Sequence, residues 1–372
     1  MKIYGTKNVF DAGLDRIRWL FDEFPNIIVG FSGGKDSTVI FNLCMMVAKE
    51  KNRLPLKVFF LDQEAEWQAT IDQVTLVMEN PDVTPLWFQM PIRLFNATST
   101  TEHWLNCWDK ADEHRWMRPQ VPYSIHENTY GTDRFGKIFA AILKKDFPDT
   151  KTCYIAGVRT EESPTRHCAL THSAKYKWAT WGSGLNRKLE HYTFYPLYDW
   201  SYSDIWKAIH ANGWHYNAIY DAMYSYGVPV MKMRVSNVHH ETAVESLFML
   251  QEIEPETYVR LTQRIVGIDM AGKMGKADYW PKELPWMFAD WKEYRDFLLE
   301  KLITLPDWTE RFKKTFARQE SMFAAELGDG LYKVHVGAIM ANDWEGVITG
   351  NFERAPNNYR ITMAKKGVVW NG

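Results

Sequence analysis

Cysteine is scarce. Only Cys44, Cys107, Cys153 and Cys168 occur in 372 residues, and no two of them form a Cys-x-x-Cys pair. That pattern excludes a zinc ribbon and an obvious paired-thiol redox centre, and a chain of this length can bury a substantial core without disulfides. No stretch approaches the roughly 20 apolar residues of a membrane span. The opening Met1-Lys2-Ile3-Tyr4-Gly5 has no long apolar run of the kind that leads a secreted chain. An excess of one charge is missing too: 44 Lys and Arg nearly cancel 46 Asp and Glu. This balance argues against a general nucleic-acid binder, although a local basic site remains open. Internal repeats and low-complexity tracts are absent. The expectation is a soluble protein of the reducing cytoplasm with no membrane partner.

Aromatic residues, in contrast, are abundant, at 15% with 17 Trp. Many fall in polar stretches such as Trp104-Leu105-Asn106-Cys107-Trp108 and Tyr176-Lys177-Trp178, where rings can stack on bases or partners. The simpler expectation is that they close a large core and keep their polar edges at its surface.

Periodicity along the chain predicts an α/β fold. An amphipathic helix near 11–24 carries Leu14, Ile17, Phe21 and Phe24 on one face, and 26–31 reads as a buried strand. Helical spacing of Val39, Ile40, Leu43, Cys44 and Val47 follows. The unit recurs with a strand at 56–61, a helix near 66–78 and a strand near 83–90. Alternating elements with apolar strands imply a doubly wound parallel sheet, predicted here to have five strands, with helices on both faces. The rhythm fails between about 93 and 132, a Trp-rich insertion or lid. It returns with a helix near 134–147, a strand at 152–158, a strand near 193–197, and a helix that Ser203 or Asp204 could cap and that ends near Gly213. Residues 1–230 are therefore expected to form the α/β domain. Residues 231–372 read as mainly helical, with segments near 241–253, 255–266, 286–302 and 308–327.

The chemistry concentrates in Ser32-Gly33-Gly34-Lys35-Asp36-Ser37, between the first strand and the next helix. Glycines permit close backbone approach, successive N–H groups point into the turn, the helix N-terminus adds partial positive charge, and Lys35 adds a full one. This is an anion site. A Walker A loop is excluded, because Val29 and Asp36 stand where that pattern needs Gly and Ser or Thr. Arg159 and Arg166 leave a later strand end, on the sheet edge where α/β folds bind ligands. Their guanidinium forks suit phosphate or sulfate oxygens, or they simply pair with Glu161 and Glu162. Asp36 and Asp62 are candidate Mg²⁺ ligands, Asp62 also a candidate adenosine contact, and either could merely cap a helix.

The loop matches the SGGKDS signature of the PP-loop superfamily of adenine nucleotide α-hydrolases. Leu61-Asp62-Gln63-Glu64-Ala65-Glu66-Trp67 resembles the LD-x-x-x-E-[FW] segment of its phosphoadenosine phosphosulfate reductase and ATP sulfurylase small-subunit branch. Gly157-Val158-Arg159-Thr160-Glu161-Glu162-Ser163-Pro164-Thr165-Arg166 resembles that branch's G-x-R-x-x-E-S-x-x-R loop. Pro196-Leu197-Tyr198-Asp199-Trp200-Ser201-Tyr202-Ser203-Asp204-Ile205-Trp206 resembles its P-L-x-D-W-x-x-x-D-[IV]-W segment. The resemblance spans roughly 25–230 and implies that ATP binds on Ser32, Gly33, Gly34, Lys35, Asp36, Ser37, Asp62, Gly157, Arg159, Glu162 and Ser163. Lys35, Asp36, Arg159 and Arg166 would carry the chemistry, with Mg²⁺ on Asp36 or Asp62. It also places Asp199, Trp200, Asp204 and Trp206 beside the cleft, where the two indoles could instead pack a helix onto the sheet.

The resemblance has a limit. Thiol-dependent sulfonucleotide reductases use a cysteine in a C-terminal Glu-Cys-Gly-x-His segment, and some add paired cysteines for an iron–sulfur cluster. This chain has no cysteine after Cys168, so neither that reduction nor a cluster is expected. What remains is attack at the α-phosphorus of ATP with release of pyrophosphate, as an ATP pyrophosphatase or adenylyltransferase on an unspecified acceptor. Two alternatives stand beside it: a sulfonucleotide enzyme using an atypical thiol such as Cys168, and a nucleotide-sensing or nucleic-acid-binding module without turnover. The whole pattern, through Gly337-Ala338-Ile339-Met340, looks like the phosphoadenosine phosphosulfate reductase-like proteins of bacteria and phages. Some of these are encoded beside a ParB-like partner, which makes such a partner, DNA modification and phage biology an expectation by association. Structural zinc is not expected: His103 and Cys107 have ligand spacing, but His114, His126, His167, Cys168, His239 and His240 add no regular second pair.

Overall fold

The computed structural model describes residues 5–96, 99, 102, 104–235, 244–268, 283–303, 305–341, 343 and 346–366. The chain divides into two compact units. The first comprises Met1–Leu94, Asn106–Asn237 and Glu252–Thr257; the second comprises Phe95–Leu105, Val238–Gln251 and Tyr258–Gly372.

In the first unit, β1 (Asn26–Gly30) is buried along its whole length, as expected for a central strand covered on both faces. It pairs in parallel with β2 (Leu56–Leu61), Val29 opposite Val58, and with β6 (Thr152–Ile155), Ile28 opposite Tyr154. Beyond β2 lies β3 (Val83–Phe88), and beyond β6 lies β8 (His191–Phe194), both parallel. The order is β3-β2-β1-β6-β8-β7. Winding thus runs outward from β1 first one way and then the other. The reversal leaves a crevice past the carboxyl ends of β1 and β6, the position at which open α/β sheets bind ligands.

The expected five-stranded sheet needs correction to six mostly parallel strands, because β7 (Gly182–Asn186) pairs antiparallel with β8 at the edge. Its sequence, Gly-Ser-Gly-Leu-Asn, has neither alternation nor β-branched residues. Gly182 is needed for close approach: a Cβ there would lie 2.7 Å from the Phe194 ring. The 93–132 stretch is also less irregular than its sequence suggests. It contributes the two-stranded ribbon of β4 (Ile92–Phe95) and β5 (Trp104–Cys107), then a 3-10 turn at Lys110–Arg115.

Helices cover the sheet. α1 (Val9–Glu23) is capped by the Asn8 side chain and buries Leu14, Ile17, Leu20 and Phe21. α2 (Lys35–Glu50), α3 (Gln68–Met78) and α4 (Phe135–Asp146) follow. The loop after β6 holds a short helix, α5 (Pro164–Thr171), which the sequence reading missed. α6 (Tyr202–Asn212) starts within two residues of Ser203 and Asp204, yet its cap is Ser201, in a reciprocal box with Asp204, and Gly213 ends it with φ 60°. α7 (Ile219–Ser225) closes the series. Trp67, Trp87, Trp108 and Trp200 are among the largest fully buried side chains, so the core role of these rings holds. Burying each such ring stabilises the unit by about 2–3 kcal/mol.

Outside the ribbon, the described part of the second unit is helical, drawn from Val244–Ile253, Pro255–Arg264, Trp291–Lys301, Pro306–Leu327, Asp329–Met340, Val347–Arg354 and Asn357–Lys366. Trp291, Leu298, Trp308, Phe312, Phe316 and Ile339 form its core. Within it, buried His335 stacks on Phe316 at 4.0 Å and hydrogen-bonds Gln319 at 2.9 Å, while burial and then Arg295 hold its pKa well down. No described helix is long and apolar enough to cross a membrane.

Candidate functional site

The chain leaves β1 at Gly30, where a Cβ would collide with the Tyr154 hydroxyl, and turns at Gly33, whose φ of 70° favours glycine. Asn217 fixes the turn by donating to the Gly33 carbonyl at 3.0 Å and to Thr70 Oγ1 at 3.1 Å. Ser37 Oγ donates to the Gly34 carbonyl at 2.8 Å, and Ser32 Oγ to Ser37 Oγ at 3.2 Å. Gly34 is the N-cap of α2 and supplies no side-chain cap, so the helix presents its first amides to the crevice. The Lys35 N–H donates to Tyr220 Oη at 3.0 Å.

Lys35 is buried, with Nζ donating to the Met233 carbonyl at 3.2 Å and 3.4 Å from an Asp36 oxygen. The Tyr220 ring centroid lies 5.4 Å from Nζ. Burial pushes the ammonium below the usual lysine range, Asp36 opposes this, and Arg159 and Arg234 reinforce it.

From the other side, the loop after β6 brings Arg159, 5% exposed, against the start of α2. Its Nε bonds Asp36 Oδ1, its Nη1 donates to Glu161 Oε2 at 2.8 Å, and its backbone N–H donates to Glu162 Oε1 at 3.2 Å. This approach needs Gly157, because a Cβ there would sit 2.6 Å from the Asp36 carbonyl oxygen. Arg166 is exposed on α5 and pairs with Glu162, and Ser163 caps that helix, accepting from the Arg166 N–H at 3.2 Å. The pairing with Glu161 and Glu162 is thus present, and both arginines also line the crevice.

These groups line a cavity of about 660 Å³ with two unlike sets of lining residues. One comprises Ser32, Lys35, Asp36, Arg159, Arg166 and Arg234. The other is aromatic: Phe59, Phe139 and Tyr154 pack with centroids 4.4–5.8 Å apart. Glu66, 6% exposed, lines the cavity as well, and its carboxyl is pushed up to about 8 by burial, then by Asp62, with Arg118 opposing. An anion fits the first set and a flat ring the second.

Several expected site residues lie elsewhere. Asp62 is fully buried and does not line the cavity. Its oxygens accept from Arg118, from the Glu64 N–H at 2.9 Å, from Trp87 Nε1 at 2.9 Å and from Gln89 Nε2 at 3.0 Å. These four donors fill the strong acceptor positions of Asp62, while Asp36 places one oxygen on Arg159 and the other 3.4 Å from Lys35 Nζ. Gly33 and Ser163 act locally, on the turn and on the α5 cap, rather than at the cavity wall. Asp199 forms a two-pronged pair with Arg16 at 2.6–2.7 Å, Asp204 serves the α6 cap, and Trp200 is buried in the core.

Among the described residues, no three His, Cys, Asp or Glu side chains converge as a metal cage. His103, His239 and His240 lie outside the described residues. Cys168 is the exposed cysteine of the four, and it does not line the cavity. Asn217, Tyr220 and Arg234 were missed by sequence reading, since their segment carries no motif. Glu66 stood inside a recognised one without a role.

Residues 26–226 match the family model described as the phosphoadenosine phosphosulfate reductase domain, and residues 227–366 match one described as a domain of unknown function, DUF3440. An Escherichia coli protein, YbdN, is 27% identical over 313 residues, 79% of this chain and 75% of its own. An adenosine 5'-phosphosulfate reductase of Lysinibacillus sphaericus is 22% identical over 59% of this chain and 79% of its own. Among solved structures, Candida glabrata FMN adenylyltransferase in complex with FMN and an ATP analogue aligns with a TM-score of 0.38 at 13% identity, over 64% of this chain and 68% of that one. The phosphoadenylyl-sulfate reductase of Candida auris aligns with a TM-score of 0.31 at 14% identity, over 64% and 98%.

Proposed function

Because the chain belongs to the phosphoadenosine phosphosulfate reductase domain family, within the PP-loop proteins, we propose that its first unit binds ATP in this cavity and acts at the α-phosphate, as an ATP pyrophosphatase or adenylyltransferase. The observation that carries this reading is the meeting of an uncapped helix N-terminus and Lys35 with Arg159 at the reversal point of the sheet. Phosphate oxygens accept from the Asp36 and Ser37 amides of α2 and from Lys35 Nζ, which exchanges the Met233 carbonyl for the ligand. Arg159 and Arg166 face the same space and offset charge that grows on the leaving group. An acceptor oxygen forms its bond to the α-phosphorus as the bond to the β-phosphate bridging oxygen breaks, and the electron pair departs with pyrophosphate. Positioning of the two reactants and electrostatic stabilisation supply the acceleration. The protein's own contribution is read through its cations and amides.

The test is incubation of α-³²P-labelled ATP and Mg²⁺ with the full chain, with and without sulfate, single-stranded DNA or a ParB-like protein. Labelled AMP or an AMP-linked product, with pyrophosphate, is expected. Lys35→Ala should abolish turnover and weaken phosphate binding by about 1.5–3 kcal/mol, the scale of a hydrogen bond to a charged group. Formation of ADP, or ATP left intact under every condition, would overturn the reading. A second reading, sulfonucleotide turnover, draws support from the relatives named adenosine 5'-phosphosulfate reductase. It requires a thiol at the cavity, and tighter binding of adenosine 5'-phosphosulfate than of ATP would favour it.

A further inference from the structure

The phosphate chemistry leaves Glu66 without a task. Its backbone N–H is bonded to the Glu64 carbonyl at 2.9 Å, and among the described residues no group hydrogen-bonds its carboxyl. The neighbours are already matched to one another. Asp62 is saturated, Arg118 is shared between Asp62 and the Glu64 carbonyl, and the Glu64 carboxylate accepts from the N–H groups of Trp108 at 2.9 Å and Met117 at 3.3 Å. That network closes without Glu66, whose side chain lines the cavity instead. A carboxyl more than nine-tenths buried and left unpaired is costly unless a ligand completes it.

Where it stands narrows the ligand. Leu61, Gln63 and Glu66 line the cavity where the chain leaves β2, the strand whose Phe59 belongs to the aromatic set, whereas the phosphate loop leaves β1. A flat ring seated against Phe59, Phe139 and Tyr154 needs polar groups at its edge to be told from other rings.

We propose that Glu66 is the base-reading residue, its carboxyl pairing with the edge of adenine that sets an amino N–H beside an unprotonated ring nitrogen. The proposal rests on the adenine-nucleotide reading above. A neutral carboxyl supplies one donor and one acceptor, the complement of that edge, whereas a carboxylate supplies acceptors only and loses the bond to the ring nitrogen. Burial keeps Glu66 neutral at pH 7. Of the charges bearing on it, Asp62 at the end of β2 opposes ionisation and Arg118 favours it.

The experiment compares binding of ATP, its 1-deaza analogue, in which carbon replaces the ring nitrogen beside the amino group, and pyrophosphate to the full chain at pH 6.5 and 9.5. Wild type should prefer ATP to the analogue about tenfold at pH 6.5, the scale of one buried hydrogen bond, and lose most of that preference at pH 9.5. Glu66→Gln, which keeps a donor and an acceptor but does not titrate, should hold the preference at both pH values. Glu66→Leu should lose it at both while pyrophosphate binds as in wild type, which also shows that the variant is folded. Because the ratio of two triphosphates is read, titration of Lys35 cancels. If ATP binds wild type no better than pyrophosphate, the adenine reading itself is wrong. If ATP binds tighter but Glu66→Leu keeps the wild-type preference, Glu66 does not read the base.

Discussion

Gly157→Ala perturbs the contact that lets the two halves of the site meet. A Cβ at this position would lie 2.6 Å from the Asp36 carbonyl oxygen, 2.7 Å from its carbon and 3.1 Å from the Ser37 nitrogen. All three are backbone atoms, so no side chain can swing aside. Ordinary contact begins at 3.4 Å, and the exit of β6 must therefore retreat from the start of α2 by about 0.8 Å. Overpacking of this kind costs about 1–3 kcal/mol, partly offset by the roughly 0.4–1 kcal/mol that alanine contributes by restricting the unfolded chain. The net loss expected is about 1–2 kcal/mol in urea denaturation. The effect on the site is larger, because Arg159 and Asp36 move apart with their backbones, and a misplacement near 1 Å lowers rate about 100-fold. Gly136→Ala, near the start of α4 and with nothing within 4 Å of the added carbon, is the control: it should leave turnover unchanged and gain the roughly 0.4–1 kcal/mol of the unfolded-chain effect. Wild-type stability together with wild-type turnover in Gly157→Ala would refute the argument.

Glu66 makes stability depend on pH. Its folded-state value of about 8 exceeds the unfolded 4.5, so the folded state binds the extra proton and stability falls as pH rises from about 4.5 through about 8. Glu66→Gln removes this penalty: the variant should gain about 3–5 kcal/mol over wild type between pH 5 and pH 9 in urea denaturation, and a pH-independent difference would count against a buried carboxyl. Asp62→Ala strands Arg118 and the Trp87 and Gln89 donors in the interior, and should destabilise the chain by about 3–5 kcal/mol. A loss below about 1 kcal/mol would mean that the network does not hold this part of the unit together.

Legibility in the sequence followed the strength of local signals. The buried run Asn26–Gly30, the glycine loop and the spacing of apolar residues in α2 each specify conformation within a few residues, and they placed the loop correctly between β1 and α2. β7 was illegible because an edge strand of Gly, Ser and Asn buries too little to leave a pattern. Asp62 shows a different failure. Its place at the end of β2 was read correctly, but its role depends on Trp87, Gln89 and Arg118, which lie 25 to 56 residues away and carry no sequence sign of converging on it. Ser203 and Asp204 show the milder case, in which a capping signal located the helix and missed its cap by two or three residues.

The Asp36–Arg159 pair spans 123 residues, the Tyr220 contact to Lys35 spans 185, and the Met233 contact spans 198. A chain emerging from the ribosome therefore displays its glycine loop long before it can grip a phosphate. Closing such long loops is slow, since their entropy must be lost before any contact compensates it. Competence for ligand should appear as a late, all-or-none event in folding, and fragments that stop before Thr152 should carry β1, β2 and β3 without Arg159 and so without a working site.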